Sequence, residues 1–358
     1  MGWALSIDKD RISDAGIVET KPVPLASGEV RLAVDRFALT ANNITYAAFG
    51  RAMRYWDFFP GEDDRGRLPV WGFARIAESR CDNLAEGERI YGYFAAASEL
   101  VVRPDRISDD AFLDAAGHRA DLPPAYNRYV RCRAEPPADA SDEAARMILE
   151  PLFITAFLLD LHLREESAFE AGKIALTSAS SKTALALAFL LHAEPMDGVS
   201  LEGLTSAGNA GFVADTGFYD RVTTYDAIEE MDRDTRYTLV DFAGDGALNM
   251  RLHTRLDDRL AANIRVGGAH WQDSTPVRNL PGPKPAFFFA PDHARDRIRD
   301  WGMEAFQQKY AAAWHDFAGR ATRLLDFTED AGADGALAVY AALVAGDVPA
   351  REGKIIKA

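Results

Sequence analysis

Gly172-Lys173-Ile174-Ala175-Leu176-Thr177-Ser178-Ala179-Ser180-Ser181-Lys182-Thr183 runs straight into the apolar stretch 184–191, and a second apolar run, residues 199–204, ends in Thr205-Ser206-Ala207-Gly208-Asn209. The pattern predicts a strand, a tight loop, a helix, a second strand and a polar loop. This is the layout of a dinucleotide-binding βαβ unit, yet the G-x-G-x-x-G pattern is missing. Ala179, Ser180 and Ser181 are small enough to let a phosphate come near the backbone. A strand that feeds directly into a helix leaves the first N–H groups of that helix, and the positive end of its dipole, facing the crevice. Ser178, Ser180, Ser181 and Thr183 can add hydrogen bonds there, and Lys182 a cation. By itself the loop also fits an ordinary capped helix start.

The second loop sharpens the reading. Units selective for NAD end their second strand on an acidic residue that binds the ribose 2′-OH. Here the strand ends in Thr205 and Ser206, with Asn209 nearby. No carboxylate stands there to repel a 2′-phosphate, so a nicotinamide cofactor in this site is expected to be NADP(H).

Outward from this unit, residues 172–290 alternate strand and helix patterns, with strands expected near 174–176, 199–204, 221–223, 237–242, 262–266 and 286–289. Such alternation predicts a parallel sheet with right-handed crossovers. Its carboxyl ends should line the ligand crevice, which makes Gly244 and Gly267 cofactor candidates. Residues 1–110 read as mostly β, a small barrel-like domain with strands near 30–37, 70–77, 89–94 and 100–102. Residues 104–140 read as irregular, broken by Pro123-Pro124 and Pro136-Pro137. Ser141-Asp142-Glu143 reads as a helix start, Pro151 as an interruption and 152–163 as its apolar continuation. A single amphipathic helix is expected over 292–325, and a short strand at Gly353-Lys354-Ile355-Ile356-Lys357.

Composition narrows the class. A chain of 358 residues suits about two domains. No apolar run approaches the roughly 18 residues of a membrane span, and residues 1–10 lack a signal-peptide pattern. With only Cys81 and Cys132 there is no disulfide framework and no four-thiolate zinc site, and a cytoplasmic setting is expected. The net charge of 40 − 55 = −15 argues against nucleic acid and against anionic membranes as partners, leaving a small-molecule substrate. Neither a G-x-S-x-G elbow nor a P-loop is present.

Several stretches then line up in a familiar order. Gly28-Glu29-Val30-Arg31-Leu32-Ala33-Val34 looks like a GEVLVKV strand, and Ala38-Leu39-Thr40-Ala41-Asn42-Asn43 like a GLNPVD turn. Leu68-Pro69-Val70-Trp71-Gly72-Phe73-Ala74-Arg75-Ile76 sits where LPxVPGxExxGxV would be, and Leu84-Ala85-Glu86-Gly87-Glu88-Arg89-Ile90-Tyr91-Gly92 is similar to FKVGDRVYG. Ala97-Ser98-Glu99-Leu100-Val101-Val102 parallels YAEYVVV, Ile154-Thr155-Ala156 parallels a GLTA helix, and residues 177–183 take the place of GASGGVG. Residues 217–225 parallel GADxVINY, and Gly353-Lys354-Ile355 parallels GKVV. In this order the chain resembles the medium-chain dehydrogenase/reductase superfamily, in particular its zinc-free quinone-oxidoreductase branch.

The resemblance implies an α/β fold: a GroES-like β-rich N-terminal domain over 1–140, joined by the returning 326–358, and a Rossmann-type doubly wound domain over 141–325. It implies that no metal is held, because the Cys of the zinc-dependent turn and the GHE of their strand are replaced by Thr40-Ala41-Asn42-Asn43 and Gly72-Phe73-Ala74. In zinc-free relatives Asn and Tyr residues of the first domain face the nicotinamide. By position Asn42 or Asn43 and Tyr46 match, so Asn43, Tyr46 and Tyr55 are the catalytic candidates. Thr155 and Tyr225 join the cofactor set by the same matching. Asn42, Trp56, His270 and Trp271 are candidates for the substrate pocket. The implied activity is NADPH-dependent reduction of an α,β-unsaturated carbonyl or a quinone. Two alternatives stay open: a non-catalytic nucleotide or ligand binder that keeps the fold, and an enzyme for acyl or lipid-like substrates walled by residues 55–59. A homodimer through the sheet edge near 286–289 is also implied.

Overall fold

The computed structural model describes residues 2–132, 139–266 and 280–358. Gly267, His270 and Trp271, named above as candidates, lie outside the described residues. The chain divides into two compact units, Met1–Ile148 with Asp326–Ala358 and Leu149–Leu325. The helix Ala140–Glu165 runs from the first unit into the second.

The first unit is built on a nine-stranded sheet whose organiser is the strand Val30–Leu39. Alternation buries Val30, Leu32 and Val34 on one face. This strand pairs antiparallel with Pro69–Ser79, with Glu99–Val102 and with the C-terminal strand Glu352–Lys357. A separate three-stranded sheet joins Ala15–Thr20, Gly2–Asp8 and Arg65–Arg67.

The expectation of an irregular 104–140 is corrected. Strands Ala111–Asp114 and Arg128–Arg131 extend the sheet. Their pattern is hidden because charged residues face inward in pairs. Arg119 is only 1% exposed and sits 3.2 Å from Asp114, and Arg131 pairs with Glu88. Buried charges of this kind persist only when paired, and hydropathy reads them as surface.

Two further boundaries differ from expectation. Pro151 does not break the helix Ala140–Glu165. A proline removes one main-chain hydrogen bond, and here buried Met147, Ile148, Leu149, Phe153 and Ala156 pack on either side of it, so tertiary burial outweighs that loss. In contrast, 292–325 is not one helix. Ala290–Trp301 and Met303–Ala321 meet at Gly302, whose φ of 80° a right-handed helix cannot contain.

In the second unit six parallel strands run in the spatial order Arg221–Thr224, Ser200–Thr205, Lys173–Leu176, Tyr237–Asp241, Leu260–Arg265, Ala286–Phe287. Numbered along the chain this is 3-2-1-4-5-6, the doubly wound arrangement. The order reverses between Lys173–Leu176 and Tyr237–Asp241. A crevice is therefore expected outside the carboxyl ends of these two strands. Tyr237–Asp241 is buried at every position, as a central parallel strand must be. The helix Lys182–Ala193 is buried around most of its girth, from Ala184 to Leu191.

Between loop and sheet the packing is close. A Cβ on Gly203 would stand 3.1 Å from the Ala179 Cβ and 2.9 Å from the Tyr219 ring. Gly203 lets the strand Ser200–Thr205 come this close to the loop at Ala179. Gly203→Ala is expected to cost about 1–3 kcal/mol through overpacking, read as a lower urea midpoint with an unchanged slope.

Candidate functional site

At the switch point the backbone is held by a hydroxyl and a carboxylate. Thr177 donates from Oγ1 to Asp241 Oδ1 over 2.7 Å, and the same oxygen accepts the Phe242 and Ala243 N–H groups at 2.9 and 3.0 Å. Asp241 Oδ1 also accepts from Ala243 and Gly244 N–H, and its Oδ2 accepts from Asn249 Nδ2 at 2.7 Å. Asp241 is 1% exposed. These bonds tie the ends of the two central strands together and fix the turn in which Gly244 takes a φ of 67°. Gly244 thus shapes the crevice through its backbone.

The polar chain continues inward. Asn263 Nδ2 donates to Asn249 Oδ1 at 3.0 Å and lies 2.8 Å from His253 Nε2. The His253 Nδ1 faces the Pro281 carbonyl at 2.6 Å, so that nitrogen carries the proton and Nε2 accepts. Burial lowers the His253 pKa, which keeps the ring neutral. Asp241, Asn249, Asn263 and His253 were not among the sequence candidates. One signal was legible, an aspartate closing an otherwise apolar buried strand.

In the loop, Ser178 stands at φ 47°, a region that favours glycine. Its N–H donates to the Tyr225 hydroxyl at 2.9 Å, and burial raises the pKa of that tyrosine. Ala179 N–H donates to the Leu204 carbonyl at 3.0 Å, and Ser181 N–H to Ser178 O at 2.7 Å. Ser181 is the cap of the helix Lys182–Ala193, its Oγ accepting from Ala184 N–H. Lys182 and Thr183 open that helix, and Ser180 lies buried beside them.

The segment expected as a polar loop after the second strand is instead a helix start. Thr205 ends the strand, Ser206 is the cap position, and Ala207–Asp215 is helical with Asn209 in its first turn. Ser206 makes no side-chain cap bond; the Asn209 N–H is taken by the Ser206 carbonyl at 3.0 Å, and the N–H groups of Ala207 and Gly208, beside an exposed hydroxyl, open the helix. Thr155 is half-buried on the helix Ala140–Glu165.

In the first unit the helix Ala41–Ala48 starts with a capping box. Asn43 Oδ1 accepts the Thr40 N–H at 2.7 Å, and Asn43 Nδ2 donates to the Pro69 carbonyl at 2.8 Å. Asn43 is buried and its amide is committed to this cap, so its observed work is to set the helix that carries Asn42 and Tyr46. Trp56, named above for the substrate pocket, stands on the short turn Tyr55–Asp57. It is buried, and a Cβ on Gly50 or Gly66 would come within 2.2 or 2.3 Å of its indole, so two glycines clamp it as a plug.

Tyr46 and Tyr55 do meet, with ring centroids 4.5 Å apart. Around them gather Tyr93, Tyr126 and Trp71, which sequence reasoning did not single out. Tyr93 lies 5.8 Å from Tyr46, 4.8 Å from Tyr126 and 5.2 Å from Trp71. Burial, and then the nearby Tyr55 hydroxyl, push the Tyr46 pKa well up, and burial first raises Tyr55, Tyr93 and Tyr126 too. All four therefore keep their protons at neutral pH and can only serve as neutral donors or acceptors. Tyr91 and Tyr93 alternate with Gly92 along the strand Arg89–Ala95, the one sequence hint of an aromatic wall. Among the described residues no group of three or more His, Cys, Asp or Glu side chains could hold a metal ion. No helix there is long and apolar enough to cross a membrane.

Replacing Thr177 by Val removes the oxygen that two buried N–H groups and Asp241 share. Thr177→Val is expected to lower stability by about 2–4 kcal/mol and to weaken nucleotide binding, while Thr177→Ser keeps most of both. Chemical denaturation and nucleotide titration check this.

Known structures share the fold at low identity. CurA from Vibrio vulnificus, in complex with NADPH, is 11% identical with a TM-score of 0.60, covering 100% of this chain and 99% of that one. The yhdH oxidoreductase from Salmonella enterica, in complex with NADP, is 15% identical with a TM-score of 0.54 over 99% of both chains. A mutant enoyl thioester reductase from Candida tropicalis is 10% identical with a TM-score of 0.58 over 100% and 99%. No curated protein matches the sequence. At these identities the likeness shows the α/β architecture, a β-rich unit and a Rossmann-type parallel unit. The family model that matches residues 37–349 is described as a protein of unknown function, DUF2855, and the chain belongs to that family.

Proposed function

We propose that this protein is an NADPH-dependent reductase of an α,β-unsaturated carbonyl compound or a quinone, working without zinc. The observation that carries the reading is the end of the strand Ser200–Thr205. It closes without a carboxylate and opens on an uncapped helix start bearing Ser206 and Asn209. Hydroxyl, amide and helix N–H donors in that place suit the 2′-phosphate that separates NADP from NAD. At the first strand, Ser180, Ser181, Lys182 and Thr183 would hold the pyrophosphate at the start of the helix Lys182–Ala193. Ser178, Tyr225 and Gly244 would shape the crevice, and Thr155 is assigned to the ribose side by its place in the sequence order. Bound NADPH supplies a hydride. Support comes also from the fold's likeness to reductases crystallised with NADPH or NADP.

On the substrate side, Tyr46 and Tyr55 would donate to the oxygen that gains charge during reduction. Their raised pKa keeps the donated proton in place, and a neutral buried donor stabilises a growing oxyanion. The zinc-free assignment rests on ligand chemistry: Thr40-Ala41-Asn42-Asn43 forms a capped helix start without a thiol, and Gly72-Phe73-Ala74 offers neither imidazole nor carboxylate. The reading pairs two copies through the edge strand Ala286–Phe287, where Phe287 is 62% exposed. It places the protein in the cytoplasm, in keeping with only two cysteines.

A second reading, a nucleotide binder without turnover, draws on the loop. Three of its N–H groups are already taken, Ser178 by the Tyr225 hydroxyl, Ala179 by the Leu204 carbonyl and Ser181 by the Ser178 carbonyl. The purified protein is expected to bind NADPH more tightly than NADH and to oxidise it across an enone and quinone panel. Tyr46→Phe should lower kcat/KM by about 100-fold with the NADPH Kd unchanged. Absence of NADPH binding overturns the reductase reading, and binding with no turnover establishes the second one.

A further inference from the structure

Residues 178–181 carry four backbone amides, and the fold itself uses three of them. Ser178 N–H goes to the Tyr225 hydroxyl, Ala179 N–H to the Leu204 carbonyl and Ser181 N–H to the Ser178 carbonyl. The Ser180 amide is the fourth. For an anion held at the start of the helix Lys182–Ala193, the aim of that one donor decides whether the loop contributes a bond. The loop has no glycine whose backbone freedom would let it adjust.

Tyr219 sets the aim. It stands between the helix Ala207–Asp215 and the strand Arg221–Thr224. Its ring lies against Gly203, where a Cβ would come within 2.9 Å of it, so the absent side chain gives the ring its room. From there the hydroxyl donates to the Ala179 carbonyl at 2.9 Å and lies 3.4 Å from the Ala184 carbonyl in the first turn of the helix Lys182–Ala193. Burial raises the Tyr219 pKa, so the proton stays on the oxygen and the group remains a donor.

A trans peptide is planar, with its C=O and N–H on opposite sides. Fixing the Ala179 carbonyl on Tyr219 turns the N–H of the same peptide, that of Ser180, away from Tyr219. Ala179 is thus held at both ends, its N–H on Leu204 and its carbonyl on Tyr219, directly after Ser178 with its φ of 47°. Phenylalanine would supply the same ring packing. What the hydroxyl adds is the direction of one peptide. Without it that peptide can turn over, as peptides do between the two common turn types, and present an oxygen to the anion instead of a donor.

We propose that Tyr219 is a positioning residue for the pyrophosphate of the bound nucleotide: its hydroxyl fixes the Ala179–Ser180 peptide so that the Ser180 N–H meets a phosphate oxygen. This rests on the NADPH reading of the same site and adds to it a side chain that touches no ligand.

Its test compares two ligands in the full chain. Wild type and Tyr219→Phe are titrated with NADPH and with adenosine 2′-monophosphate, which carries the 2′-phosphate but no pyrophosphate. Tyr219→Phe is expected to bind NADPH about tenfold more weakly, the effect of one hydrogen bond, and to bind adenosine 2′-monophosphate as wild type does. A role in stability alone would move both ligands together. Equal NADPH affinity in the two proteins, or an equal loss for both ligands, overturns the proposal. The reductase reading fails on a different result, no NADPH binding by wild type, which would remove this role with it. NADPH binding that is indifferent to Tyr219 overturns the role alone and leaves that reading standing.

Discussion

The bond between the Thr177 hydroxyl and the Asp241 carboxylate is the constraint on which the second unit turns. A doubly wound sheet diverges where its strand order reverses, and the chain ends that flank this point need support from side chains. Here one hydroxyl serves two backbone N–H groups, and one carboxylate serves a hydroxyl, two N–H groups and an amide. The geometry of the turn at Gly244 and the departure angle of the loop at Ser178 both follow from that joint. From it the polar chain through Asn249 and Asn263 to His253 extends the same stiffness toward the next strand. A crevice made this way is shaped before any ligand arrives, which is what binding by a fixed set of dipoles requires.

The first unit solves a different problem. Its sheet takes in the strand Glu352–Lys357, which pairs with Val30–Leu39 across nearly the whole length of the chain. Paired charges, Arg119 with Asp114 and Arg131 with Glu88, let loops of polar sequence lie inside. On that frame the helix Ala41–Ala48, the strand Arg89–Ala95 and the turns Tyr55–Asp57 and Pro124–Asn127 bring four tyrosines into one cluster. Neutral hydroxyls in an aromatic surround can bind an oxygen without attracting ions.

Much of the parallel unit was legible in the sequence because apolar runs on buried strands leave a strong signal. The loop at Thr177 and the strand ending at Thr205 follow from local pattern, whereas the return of the terminal strand was legible only through the resemblance. What escaped did so for physical reasons. Ala111–Asp114 and Arg128–Arg131 carry buried charges whose partners are distant in sequence. Pro151 sits in a helix held by its packing rather than by its own propensity. Tyr93, Tyr126 and Trp71 come from three separate elements, and only the fold puts them together. Asn43, matched by position, and Trp56 are both buried, Asn43 in the capping box of its helix, which the local sequence does not show.

Gly203 carries a consequence for how sites of this kind are recognised. Clearance between a phosphate loop and its neighbouring strand belongs to the pair of positions that face each other. Either partner can be the one without a side chain. In this chain glycine in the strand keeps the Ala179 contact close, while the fingerprint glycines are replaced at other loop positions, Thr177, Ser180, Ser181 and Thr183. Pattern searches that look for glycine along one stretch will pass over such proteins, whereas a search over facing positions in the folded sheet would find them.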